Sequence, residues 1–174
     1  MRDQTMMIQN FNQTVDYLIN ELEQYDFNCL CAKPSADSWS LGQMYLHLIY
    51  DTTFFIQQIE ICISNNDHAI EEASSHAKEL FRNHAFPDER IEGAPSNAYI
   101  PQPESKEQLM NGLTDMRSHM NRLASMISET SFNGKAKHPG LDYFNAAQWL
   151  QFADMHLRHH LKQKKRLDAF LGKL

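Results

Sequence analysis

This sequence has no internal repeat, no low-complexity tract and little that reads as strand. It also lacks a long apolar run, so neither a membrane-spanning segment nor the apolar centre of a secretory leader is expected. Cysteine is scarce. Three thiols, Cys29, Cys31 and Cys62, are an odd number and argue against a disulfide framework. Cys29 and Cys31 have no second Cys or His pair nearby in sequence, so they read as structural thiols rather than metal ligands. Positive charge is not in excess either. A formal net charge of -6 provides no global basic field, which argues against nucleic acid or an anionic membrane as partner. The cytoplasm is the expected compartment.

What is present is a chain of 174 residues with 42% hydrophobic and 22% charged residues, the profile of one folded domain over residues 1–174. Apolar residues recur by threes and fours in four long segments, which predicts an all-α four-helix bundle. The first segment runs from about Thr5 to Tyr25, with Ile8, Phe11, Val15, Leu18 and Leu22 in register. In the second, which starts after Ser40, Met44, His47, Asp51, Phe54, Gln58 and Ile61 form one stripe. Leu41, Tyr45, Leu48, Phe55, Ile59 and Cys62 form another beside it. A third stripe, from Ser105 to about Ser128, holds Leu109, Leu113, Met116, Met120, Leu123 and Ile127. The fourth follows Asn145 and holds Trp149, Ala153, His156, His160, Gln163, Leu167 and Phe170. Ser40, Ser105 and Asn145 each precede a glutamine by three residues, the pattern of a reciprocal helix cap.

The linkers differ in kind. Asp26 to Asp37 reads as a short crossing, and Asp67 to Arg82 as room for one more short helix. Phe86 to Pro103, with four prolines and Gly93, predicts a long irregular connection between the second and third long helices. Such a connection lets those two helices run parallel. Ser131 to Phe144 is expected to be a loop. The basic run Lys162, Lys164, Lys165 and Arg166 reads as a solvated helix end.

Chemistry concentrates in the fourth segment. His156 and His160 are four residues apart, so on a helix their imidazoles share a face. Both lie on the interior stripe, where an unpaired polar ring costs about 1–3 kcal/mol. A metal ion would partner both at once. His47, on the interior stripe of the second helix, offers a third ligand. Three neutral histidines with an open position suit Zn²⁺ or Ni²⁺. Asp51 lies one turn beyond His47 and Gln163 one turn beyond His160, in place to assist catalysis from beside the ion. The competing reading is hydrogen-bonded core histidines and no metal. His159 is expected to flank the cluster; His68, His76, His84, His119 and His138 read as surface or loop residues, with His138 at a pocket rim. Glu-x-x-His and His-Glu-x-x-His are both absent, which sets aside a di-iron carboxylate site and a zincin.

These landmarks resemble the DinB/YfiT-like metalloprotein superfamily. Trp39-Ser40 followed by Leu46-His47-Leu48 looks like its second-helix signature. His138-Pro139-Gly140-Leu141, Gln148-Trp149 and His156-x-x-x-His160-x-x-Gln163 look like its last-helix signature. The ordered combination spans roughly residues 38–170. The resemblance implies up-down-down-up connectivity, a divalent metal on His47, His156 and His160, and a homodimer. For activity it implies a small-molecule substrate and either of two chemistries. One is S-transfer from a low-molecular-weight thiol such as bacillithiol or mycothiol; the other is metal-dependent hydrolysis. A non-catalytic helical-bundle binding protein is the reading outside enzymology.

Overall fold

Reciprocal caps fix two of the long helices at their starts. The Ser40 hydroxyl accepts from the Gln43 amide while the Gln43 side chain accepts from the Ser40 amide. Asn145 and Gln148 repeat the exchange. Each such cap satisfies two amides that the helix itself leaves free. The third cap differs from expectation: Ser105 accepts from the Gln108 amide, but Gln108 reaches back one residue further, to the Glu104 amide.

The computed structural model describes residues 2–87 and 99–172. In chain order the elements are α1 (Arg2–Glu23), α2 (Phe27–Cys31), α3 (Leu41–Cys62), α4 (Ser75–Asn83), α5 (Lys106–Glu129), β1 (Lys135–His138), β2 (Asp142–Asn145) and α6 (Ala146–Phe170). The crossing after Tyr25 contains α2, capped by the Asp26 side chain on the Cys29 amide. The extra helix expected before Arg82 is α4. Most of the long connection, residues 88–98, lies outside the described residues.

Four long helices make the bundle, and cross-helix contacts give their directions. α1 and α5 are antiparallel, since Gln4 meets Ala124, Asn12 meets Asn121 and Asp16 meets Arg117. α3 runs parallel to α5, with Ile49 beside Gly112 and Glu60 bonded to His119. α6 is antiparallel to α3, because His47 meets His160 while Phe55 meets Trp149. The order is therefore up-down-down-up. Gly112 makes the parallel α3–α5 pairing close, as a Cβ there would lie 2.7 Å from Ile49 Cδ1.

The core follows the expected stripes for α1 (Phe11, Val15, Leu18, Leu22), α5 (Leu109 to Leu123) and the first half of α6. Helix α3 departs from them. Its stripe through Met44 and His47 leaves the core after Asp51, so that Phe54 is 37% and Ile61 44% exposed. The neighbouring stripe, Leu41 to Cys62, faces the centre instead. A helix offers the core only an arc of its circumference, and of two adjacent stripes the more apolar one takes it. Phe170 also ends exposed, in the last turn of α6.

Two expectations are corrected outright. The segment after Ser131 is not only loop: β1 and β2 pair antiparallel, Lys135 with Asn145 through His138 with Asp142. The turn relies on Gly140 at φ 103°, a left-handed conformation that glycine adopts without strain. The basic run is not uniformly solvated either. Lys164 is 1% exposed, its ammonium bonded to Glu21 (2.7 Å), Asp168 (2.8 Å) and Tyr25 (3.0 Å). Tyr25 donates in turn to Asp168 at 2.5 Å. Lys164 is the position of the run that turns toward α1, and α1 supplies its acceptors. No helix among the described residues is long and apolar enough to cross a membrane.

Candidate metal centre

Antiparallel packing of α3 on α6 brings His47 against two successive turns that carry His156 and His160. The His47 Nε2 lies 3.1 Å from His160 Nε2 and 3.2 Å from His156 Nε2. One ligand atom from each of the three falls within 4.8 Å of the other two, a set that could hold a metal ion. His47 is 3% exposed and the His156 side chain 12%.

Hydrogen bonding alone does not satisfy this cluster. Gln163 Oε1 accepts from His160 Nδ1 at 2.8 Å, so in the neutral ring the Nε2 lone pair points at the other histidines. If His47 Nε2 donates to its two neighbours, His156 must keep its proton on Nδ1, which is buried without a partner. If His156 donates instead, the Nε2 lone pairs of His47 and His160 face one another. His47 Nδ1 is also buried and unpartnered, at 3.6 Å from Asp51 Oδ1. A cation that accepts three Nε2 lone pairs removes the clash among those atoms and leaves the proton of each ring on Nδ1, which in His160 is bonded to Gln163 and in His47 faces Asp51 at 3.6 Å. Bonds of ~2.0–2.1 Å in a tetrahedral arrangement put ligand nitrogens roughly 3.3 Å apart, close to the two spacings from His47 Nε2, 3.1 and 3.2 Å. The residues fit a divalent metal.

Electrostatics agree. Burial, helped by the neighbouring His160, pushes His47 down to about 3, and burial brings His160 down to about 4 against the opposing pull of Gln163. His156 is driven well below the usual imidazole range by burial and then by the other histidines. All three are neutral at physiological pH, the form that ligates. Asp51 stands at the edge with one oxygen 3.4 Å from His156 Nε2, and burial raises its carboxyl to about 6.

The residues singled out from sequence thus occupy distinct places. His47, His156 and His160 converge. Asp51 borders them, half-buried and reachable from solvent. Gln163 orients the His160 ring, its side-chain oxygen accepting from Nδ1. His159 sits to the side, its ring 5.4 Å from His160 and 5.4 Å from Phe86. His138 is neither a surface nor a simple rim residue. The hairpin carries it onto Trp149 (5.5 Å, stacked) and Phe152 (4.9 Å), with Nδ1 buried, and burial lowers its pKa to about 4.

Sequence reading missed the aromatic neighbours of the ligands. Trp39 lies 4.9 Å from His47, and Phe55 meets His156 edge-on at 5.5 Å. Phe55 carried a signal, since it lies two turns beyond His47 on α3. Phe86 carried none, because its place depends on how the chain returns after α4.

Among curated proteins, none matches this chain. Among solved structures it is similar to YfiT from Bacillus subtilis, described as a probable metal-dependent hydrolase with an unusual four-helix bundle topology. The TM-score is 0.64 at 12% identity, over 97% of this chain and 87% of that one, a likeness of fold. A sequence profile of the DinB superfamily matches residues 8–163, a stretch that contains the three histidines, Asp51 and Gln163, and the chain therefore belongs to the DinB superfamily.

Proposed function

We propose that this protein is a divalent-metal enzyme of the thiol S-transferase type acting on a small molecule. The observation that carries the metal is the convergence of three neutral imidazoles whose hydrogen bonds cannot all be met by one another. His47, His156 and His160 would hold Zn²⁺ or Ni²⁺, and all three come from one chain, so the site needs no second subunit. Such an ion supplies Lewis acidity and lowers the pKa of a bound thiol or water.

The chain's own groups divide the remaining work. Gln163 holds His160 in the tautomer that directs Nε2 inward. Asp51, 3.4 Å from His156, would take the proton of the nucleophile. For a thiol, sulfur gives its proton to Asp51 and bonds to the electrophilic carbon, and the leaving group departs with its electron pair. The family resemblance favours a thiol from a low-molecular-weight cosubstrate. A second reading, hydrolysis with water as nucleophile, is supported by the description of YfiT and uses the same Asp51 geometry.

The test is elemental analysis of untagged protein purified without chelators, beside a His47→Ala/His160→Ala variant. About one divalent ion per chain in the parent, absent from a folded variant, is expected. Thiol-transfer and ester- or amide-hydrolysis screens then separate the two chemistries. A parent that holds no ion, and takes up neither Zn²⁺ nor Ni²⁺ tightly, refutes the metalloenzyme reading.

A further inference from the structure

Among the described residues the surroundings of the three histidines are aromatic rather than cationic, and this bears on what the site accepts. From His156 the Phe55 ring leads on at 5.5 Å, and Phe152 lies 5.3 Å from Phe55. Both phenylalanines are buried and belong to the core beside the histidines. On one side rises Phe54, 6.0 Å from Phe55 and 37% exposed, one turn beyond Asp51. On the other stands Phe86, 5.2 Å from Phe152 and 5.4 Å from His159. The basic side chains Arg158 and Lys164, which flank the ligands on α6, are both committed elsewhere. Arg158 binds Asp154 and the His84 carbonyl, and Lys164 binds Glu21, Tyr25 and Asp168. Among the described residues a charged group that does border the histidines is the Asp51 carboxylate, which would repel a second anion.

The geometry points to a substrate with a flat apolar arm, which extends from the reacting group past Asp51 and packs against the exposed ring of Phe54. Phe54 is then a specificity residue rather than a catalytic one. Its outward rotation from the core stripe has a use, because a large apolar ring left at the edge of an open site gains contact when an arm covers it. The inference rests on the metal reading of the site.

Two hydroxamate probes on the cobalt-loaded full chain test it, with the visible spectrum of Co²⁺ as readout. Acetohydroxamate and benzohydroxamate present the same metal-binding group and differ in the arm. The parent is expected to bind benzohydroxamate about tenfold more tightly. In Phe54→Ala that preference should fall by about threefold or more, and Phe54→Trp should keep it. The ratio of two probes on one protein is insensitive to a general loss of site integrity. Equal binding of the two probes by the parent, or a preference unchanged in Phe54→Ala, overturns the aromatic-arm assignment alone. A parent with no Co²⁺ spectrum overturns the metal reading and the arm with it.

Discussion

Helix α6 carries two buried polar clusters one turn apart, and they are built on opposite terms. Toward α1, Lys164 is enclosed by Glu21, Tyr25 and Asp168, with each of its three ammonium protons matched to an oxygen. Toward α3, three imidazoles meet at hydrogen-bond distance and leave His47 Nδ1 and His156 Nδ1 unpartnered. The first cluster is complete within the chain; in the second the three facing Nε2 atoms cannot all be paired by protons, and a cation there would take their lone pairs. Burial of polar groups is therefore no guide to function by itself. Whether the protein's own atoms close the account of donors and acceptors separates a structural knot from a site.

Substitution on the two sides should separate them further. The largest effect is expected at the ligands: His156→Ala or His160→Ala should weaken metal binding by on the order of a thousandfold or more, measured by competition with a chromophoric chelator. His159→Ala should keep most of the affinity, and equal loss in all three variants would show that the ligand face is assigned wrongly. Next is Lys164→Ala, which strands two carboxylates and should cost about 3–5 kcal/mol in chemical denaturation. Saturating metal should raise the stability of the parent and of Lys164→Ala alike, but not that of His156→Ala. A Lys164 variant that loses stability only when metal is present would erase the distinction.

Two smaller effects probe the edges of the site. His138 titrates near 4 when folded and near 6.5 when unfolded, so its neutral form favours folding at neutral pH. That stability is complete above about pH 6.5 and is lost progressively as the pH falls toward 4, by about 3 kcal/mol in all. His138→Phe should remove this acid-sensitive part, read as a flatter stability-against-pH curve than the parent's. Gln163→Leu should lower metal affinity by about tenfold to a hundredfold, since His160 loses the acceptor that fixes its tautomer. No change in Gln163→Leu would mean that packing alone orients that ring.

The long helices and the meeting of the three histidines were legible because helical spacing and caps are local. Three- and four-residue recurrence fixed α1, α3, α5 and α6, and the pair His156 and His160 needed only one turn of helix to meet. Less local features were hidden. The hairpin consists of two four-residue strands, too short for alternation to declare itself, and it is anchored by Ala73 and Glu72 from far earlier in the chain. Lys164 looked like one more solvated cation because Glu21 and Tyr25, which enclose it, lie about 140 residues away. Phe54 and Phe55 are adjacent and equally apolar, and the direction from which α6 approaches decides which ring turns inward.

Parallel α3 and α5 have a consequence for how such a protein can change. Helix α3 has 22 residues and spans about 33 Å, and the chain must travel back that distance before α5 can start in the same direction. On that return stroke α4 ends at His84, whose carbonyl is gripped by Arg158 and whose ring is gripped by Gln151, and two residues later Phe86 lies against His159. The ligands thus come from the frame of the bundle, while a wall beside them comes from the connector. A lengthened, shortened or exchanged connector can reshape what the centre admits without disturbing the helices that hold the histidines. On the metal reading, substrate range and metal retention would be separately adjustable in this architecture, and grafting a relative's connector between α4 and α5 is a direct way to test whether one moves while the other stays.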